Sequence, residues 1–272
     1  MRARRWLLSA VSLSAVSLSA VVSCIDLTVD PKQIGSIEFV APTMPSMIVG
    51  DTLRDSSWVT ERLVAKVFTT DGNEVAGSPA SFVAADSVAQ IVAGNRVVSK
   101  GRVVGTATGF VTGTAKLFAS VGSLQSAVRL LEIINRPDSL AANSALQDTI
   151  LYFEPRTGTL DDSLTSVSVS VRDTTGAPAR AVLVSFRILR NSVPLVATDT
   201  GTYALLNDNS RPSRIDTTDA GGVASRRVRF RARAGIVTRD TIKVQANVSV
   251  ARKALKNSPV SFTLVVLPKP TT

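Results

Sequence analysis

Through the second half of the chain, apolar and polar residues alternate with a period of two. Val167, Val169 and Val171 point one way, and Ser166, Ser168, Ser170 and Arg172 the other. Ile242, Val244, Ala246, Val248 and Val250 alternate likewise with Lys243, Gln245, Asn247 and Ser249. Successive side chains on a strand face opposite sides of its sheet, so this pattern predicts strands with one face buried. The first half is less regular but of the same kind. Leu63, Ala65 and Val67 oppose Arg62 and Lys66, and Asp71-Gly72 then marks a turn. Further strand-like runs cover residues 88–92, 96–98, 103–108, 114–121 and 124–134. None follows the 3.6-residue period of a helix. Short runs separated by turn residues predict an all-β chain whose strands pack as sandwiches. Arg136-Pro137-Asp138 reads as a turn-forming junction, so the expected units are residues 34–135 and 136–268, with a tail at 269–272.

The first residues follow a different pattern. Arg2, Arg4 and Arg5 precede an apolar run over residues 6–22, in which Val-Ser-Leu-Ser-Ala occurs twice, at 11–15 and 16–20. A charged start followed by an apolar stretch is the anatomy of a secretory signal. A membrane-spanning helix is the competing reading. It needs about 20 predominantly apolar residues, and serines at 9, 12, 14, 17, 19 and 23 dilute this run. The run ends in Val21-Val22-Ser23-Cys24, which resembles the lipobox of bacterial lipoproteins. That resemblance implies a signal peptide over residues 1–23, diacylglyceryl transfer to the Cys24 thiol, cleavage after Ser23, and acylation of the new amino group with a fatty acid such as palmitate. Residues 24–33 would then be a lipidated tether. Each buried CH₂ adds about 0.8 kcal/mol, so two or three chains hold a protein durably on a bilayer.

Two further resemblances concern the body of the chain. Ile48-Val49-Gly50-Asp51-Thr52, Leu63-Val64-Ala65-Lys66-Val67, Asp71-Gly72, Ala80-Ser81-Phe82 and Val88-Ala89-Gln90-Ile91-Val92 follow in order, then Gly105-Thr106-Ala107-Thr108 and Gly113-Thr114-Ala115. This series is similar to the bacterial Ig-like domain, group 2, with Phe82 where that family usually carries tryptophan. In the second half, Val169-Ser170-Val171-Arg172-Asp173 leads into Gly176-Ala177-Pro178 and Val184-Ser185-Phe186. Thr218-Asp219-Ala220-Gly221-Gly222-Val223-Ala224 and Ile242-Lys243-Val244-Gln245-Ala246 follow. This half resembles the bacterial Ig-like domain, group 1, the invasin type, interrupted by a longer, irregular insertion at residues 190–214. The resemblances imply an all-β fold class: two tandem immunoglobulin-like β-sandwiches after an N-terminal signal segment.

Composition narrows the chemistry. Aromatics are 5% of the residues, so the core must be built from Val, Ala, Leu and Ile. There is no histidine, the commonest general base, and Cys24 is the only cysteine, so no intrachain disulfide can form. Asp161 and Asp162 are adjacent, cannot share a strand face, and look like a solvated turn. Asp138, Asp148 and Asp173 are calcium candidates only if they converge, and no compact ligand loop surrounds them. Gly221-Gly222 is a hairpin turn with no Lys-Ser/Thr after it, unlike a phosphate loop. No enzymatic activity, metal or cofactor is expected. The formal net charge is +10, three of the cations lying in the leader, and without a dense basic run or interleaved aromatics nucleic acid is not an expected partner.

One constellation stands out. Along residues 225–234, Arg227, Arg229, Arg231 and Arg233 share one strand face, while Val228, Phe230, Ala232 and Ala234 share the other. These arginines are a candidate anion-binding ladder; the plainer reading is the solvated side of a half-buried strand. The expectation is a cell-envelope lipoprotein, lipid-anchored at the outer membrane or cell surface through Cys24, whose sandwiches are structural spacers or adhesion modules for a protein or polysaccharide partner. Two alternatives stay open. A module binding glycan or envelope polymer would need an aromatic platform from Tyr152, Tyr203 or Trp58, and an accessory or inhibitor of a secreted partner could insert the 190–214 loop.

Overall fold

The structure is a computed structural model that describes residues 34–77, 80–86, 88–99, 101–104, 107–153, 160–196, 201–234 and 239–269. Cys24, the leader and the tether lie outside these residues. All regular elements described are strands. In the first half they are β1 (Ile34–Val40), β2 (Ser46–Ile48), β3 (Val64–Thr69), β4 (Ser81–Ala84), β5 (Ala89–Val92) and β6 (Arg96–Ser99). β7 (Gly101–Val104), β8 (Ala107–Phe110), β9 (Gly113–Val121), β10 (Leu124–Gln125) and β11 (Arg129–Ile134) complete it. The second half holds β12 (Pro137–Ala142), β13 (Gln147–Tyr152), β14 (Leu160–Asp173), β15 (Leu183–Arg190), β16 (Val193–Pro194) and β17 (Tyr203–Leu206). β18 (Ile215–Thr217), β19 (Val223–Arg233), β20 (Asp240–Asn247), β21 (Ser249–Val250), β22 (Lys253–Ala254) and β23 (Val260–Pro268) follow.

In the second half one sheet runs β12-β14-β19-β17 and the facing sheet β13-β23-β20-β15, with β16 and β18 on the outer edge of β15. The opening segment is therefore shared, β12 joining one sheet and β13, parallel to β23, the other. Lettered in chain order, the sheets read A-B-E-D and A′-G-F-C, the immunoglobulin constant-type arrangement. The first half repeats it. Its β2-β11-β9-β4 sheet has the same A′-G-F-C order, with β2 parallel to β11. Its other layer pairs β1 with β3 and β5 with β6, linked by the Arg62–Arg96 bridge and the Leu63 N–H to Asn95 carbonyl bond of 2.8 Å. The fold is all-β, two immunoglobulin-like sandwiches.

Alternation builds both cores. Phe39, Leu63, Leu117, Leu131 and Ile133 fill the first, and Phe82 packs on it with its ring 5.7 Å from Phe39. Val167, Val169, Val171, Val228, Val244 and Leu264 line the second, around fully buried Phe186, Phe230 and Phe262. Tyr152 and Tyr203 close one end of it, their rings 4.9 and 5.3 Å from Phe230. The Tyr203 hydroxyl donates to Asp240 at 2.7 Å, and burial together with that carboxylate pushes its pKa far up.

Three readings of the sequence are corrected here. The run 103–108 is not one strand: Val104 of β7 pairs antiparallel with Ala107 of β8. The run 124–134 is divided between β10 and β11 at Ser126: its N–H still bonds the Ala119 carbonyl, but its hydroxyl, not its carbonyl, accepts the Ala119 N–H and donates to the Ala127 carbonyl. The segment 190–214, read as an irregular insertion, carries among its described residues β16 and β17, the D strand, all four residues of which are buried. Ala204 and Leu206 face outward by parity, opposite Arg229 and Arg227 of β19, and are buried nonetheless, while residues 211–213 pair along the free edge of β17. A strand buried on both sides has no alternation to read.

Candidate functional site: the arginine face and the joint

β19 pairs with β14 over eleven residues in register, which sets Arg231 opposite Asp162, Arg229 opposite Leu164, Arg227 opposite Ser166 and Arg233 opposite Leu160. Asp161 and Asp162 thus lie within β14 and not in a turn. Their side chains do point to opposite faces: Asp161 accepts the Phe153 N–H at 3.4 Å, while Asp162 meets the arginines. Arg231 grips Asp162 with two bonds of 2.6 and 2.7 Å, and Arg229 approaches the same carboxylate to 4.0 Å. The Arg231 hydrogen bonds hold the Asp162 carboxyl below its usual range, burial opposing them, and Asp162 in turn raises Arg231. Arg227 turns instead toward the loop after β17, donating to the carbonyls of Asn207 and Asp208 at 2.8 Å and to the Ser210 hydroxyl at 3.0 Å. Arg233, at the strand end, is exposed. Three of the four arginines therefore organise this sheet's own strands and loop.

Arg226 carried no weight in the sequence reading, yet it is the most constrained cation described. Its side chain points inward and is 5% exposed. It pairs with Asp216 at 2.9 Å, donates to the carbonyls of Ser225 and Ile215, and lies 6.0 Å from the Phe186 ring centre. The signal was a cation at a position of inward parity, Arg226 being in phase with Ala224 and Val228.

The three calcium candidates do not converge. Asp138 pairs with Lys256 at 3.0 Å, Asp148 accepts from Thr165, and Asp173 is enclosed by Asn135, Thr175 and the Ala177 N–H. Burial alone would raise Asp173, but those donors outweigh it and its pKa is lowered. The tyrosines a glycan platform would use, Tyr152 and Tyr203, are buried.

A second site, not anticipated from the sequence, is the joint between the sandwiches. β11 ends at Ile134 and β12 begins at Pro137, leaving two residues between them. The Ser46 hydroxyl donates to the Ala181 carbonyl at 2.6 Å. Arg180 bonds Thr114 at 3.2 Å and pairs with Glu132, Arg252 reaches the Ser57 carbonyl at 3.1 Å, and Asn135 donates to Asp173 at 2.9 Å. Trp58 sits on a tight turn capped by the Asp55 carboxylate, which accepts the N–H groups of Ser57 and Val59. Its ring packs with Ile48 against the core of the second sandwich. Ala251 and Arg252 form the two-residue turn between β21 and β22, where positive φ at both positions is ordinary; Trp58 and Ala181 have φ of 63° and 57°. Such conformations persist only where the surroundings over-determine them. A cavity of about 190 Å³ remains in the joint, with Met47, Ile48 and Trp58 on one side and Val182, Leu183 and Val250 on the other.

No protein-family model matches the chain, and no curated protein matches it. Among solved structures it is similar to the Yersinia pseudotuberculosis adhesin InvE, at 16% identity and a TM-score of 0.31, over 86% of this chain and 60% of that one. It is similar also to domains 1–6 of the surface layer protein SbsC, at 13% identity and a TM-score of 0.28, over 88% of this chain and 28% of that one. The tandem Ig repeats of Dlar align at 7% identity and a TM-score of 0.24, over 87% and 98%. The chain thus spans about three fifths of the adhesin and under a third of the surface layer chain. Likenesses this distant carry no argument, and the fold rests on the strand pairing above.

Proposed function

We propose that this chain is a non-enzymatic envelope lipoprotein, held on a membrane by acyl chains on Cys24, whose two sandwiches act as a rigid spacer or contact module. The lipid anchor rests on the lipobox-like Val21-Val22-Ser23-Cys24, and the observation that supports the rigid spacer is the joint. A flexible linker would leave the sandwiches independent; here two connecting residues and contacts from both sides hold them together. The strand entering the first sandwich starts at Ile34, at the end opposite the joint, and β23 leaves the second sandwich at its far end. A tether of ten residues before that entry would reach at most about 36 Å.

Spin labels on Gln125→Cys and Thr241→Cys in residues 25–272 with Cys24 absent would sit in opposite sandwiches, away from the joint. One narrow distance distribution is the expected result, broadened by Trp58→Ala. A broad distribution in the parent pair would refute the rigid spacer. In cells, metabolic labelling with a palmitate analogue should mark the wild type and not Cys24→Ser. Carbonate-resistant membrane retention of Cys24→Ser would instead assign the anchor to residues 6–23.

A further inference from the structure

The outer face of the β13-β23-β20-β15 sheet has a composition that a spacer does not require. Parity places Leu151 of β13, Leu267 of β23, Lys243 of β20 and Arg187 of β15 on that face, each out of phase with the buried Ile150, Leu264, Ile242 and Phe186. Phe153 continues the face beyond β13, and Lys269 lies over its ring at 4.5 Å. Leu151 is 50% exposed and Phe153 60%. Leu151 and Leu267 are direct cross-strand partners, so the apolar residues form one patch. Among the described residues of these four strands, no aspartate or glutamate shares the face. Asp148 and Asp240 have inward parity and are occupied by Thr165 and by Tyr203 with Arg190. Arg187 donates to Gln245 at 2.9 Å, a neutral partner that leaves its charge uncompensated.

We propose that this face is an interfacial binding surface for an anionic lipid bilayer. The large apolar side chains Leu151, Phe153 and Leu267 would enter the boundary between headgroups and acyl chains, and Lys243, Lys269 and Arg187 would meet lipid phosphates. Peripheral binding grows with buried apolar area plus attraction to anionic lipid, and this face offers both. A soluble acidic polysaccharide would use the cations and gain nothing from Leu151 and Phe153, so the apolar centre favours the bilayer. The apolar residues and Lys269 lie at the end of the second sandwich away from the joint, where Tyr152 pairs with Pro268 and Asp240 with Val266. Lys243, at the level of Thr263, and Arg187, at the level of Ser261, follow along the same face toward the joint, about 13 and 20 Å from Leu267. The proposal is independent of acylation at Cys24.

The test is flotation of unlipidated residues 25–272, which contain every strand described, with phosphatidylcholine vesicles with and without phosphatidylglycerol. Binding at least tenfold stronger to the anionic vesicles is expected, weakening with salt. Leu151→Ser with Phe153→Ser should lower that binding at least tenfold with unchanged circular dichroism, since both side chains are exposed. Lys243→Gln with Lys269→Gln should lower it and flatten its salt dependence. Absence of binding to anionic vesicles at low salt overturns the proposal. So does equal binding by the serine pair, and if heparin then displaces the vesicles the face takes a polyanion instead.

Discussion

Gly222 carries the strictest single-residue requirement in the second sandwich. Its φ is +74°, and a Cβ there would stand 2.6 Å from the Val171 carbonyl oxygen and 3.1 Å from the Ala179 nitrogen. That oxygen belongs to the B strand, and the Gly222 carbonyl itself accepts the Val171 N–H. Gly176 also has positive φ, at +83°, but open space around it. Gly176→Ala should therefore cost only the left-handed penalty, about 1 kcal/mol. Gly222→Ala should cost about 2 kcal/mol or more, because backbone must move as well. Urea unfolding of the two variants checks this, and equal losses would show that the close approach does not matter. The Gly-Gly pair was legible in the sequence as a hairpin. Its contact with Val171, fifty-one positions earlier, was not.

At the scale of elements, the buried Arg226–Asp216 pair joins the short β18 to β19 and so helps hold β18 against the edge of β15. Asp216 also accepts the Ser225 N–H at 2.7 Å. The two ends of the pair are unequally buried, Arg226 at 5% and Asp216 at 26%. Asp216→Ala leaves a desolvated guanidinium without its counter-ion and should cost about 3 kcal/mol. Arg226→Met keeps the apolar volume and leaves a carboxylate that water can reach, so it should cost less, about 1 kcal/mol. Thermal unfolding of both variants would reverse this picture if Arg226→Met proved the more damaging. The arginine pattern of β19 was visible from its alternation. What each arginine touches was not, since Arg231 and Asp162 stand 69 positions apart and meet only through the register of two strands.

Across the whole molecule, two consecutive residues of β11 serve different cores. Ile133 packs in the first sandwich, and Ile134, 7% exposed, belongs to the core of the second. A strand that ends at the joint turns alternate side chains to opposite sides, and here the opposite side of the last residue is the neighbouring sandwich. Ile134→Ala should cost about 2–4 kcal/mol and speed hydrogen exchange chiefly in β12–β23; Ile133→Ala should act chiefly on β1–β11. If Ile134→Ala loosened only the first sandwich, the shared core at the joint would be refuted. With Trp58 packed across the same joint, the molecule is two folds with one shared seam.

The period-two pattern determined by itself that this is a sheet protein and which faces of β3, β14, β19 and β20 are buried, and Asp71-Gly72 and Gly221-Gly222 marked two of its tight turns. Those properties are local: alternation and glycine pairs act over a few residues and need no knowledge of the rest of the chain. Tertiary structure alone decided the partners. Ser46 meets Ala181 from 135 positions away, Trp58 reaches the core of a different sandwich, and an aspartate read as a solvated turn became the counter-ion of two arginines. It also decided that β17, buried on both sides, is a strand, and that exposed Leu151 and Phe153 join half-buried Leu267 in one patch. Register and sheet order bring such residues together, and both are settled by which long-range pairings bury the most apolar surface at once, a property of no single segment.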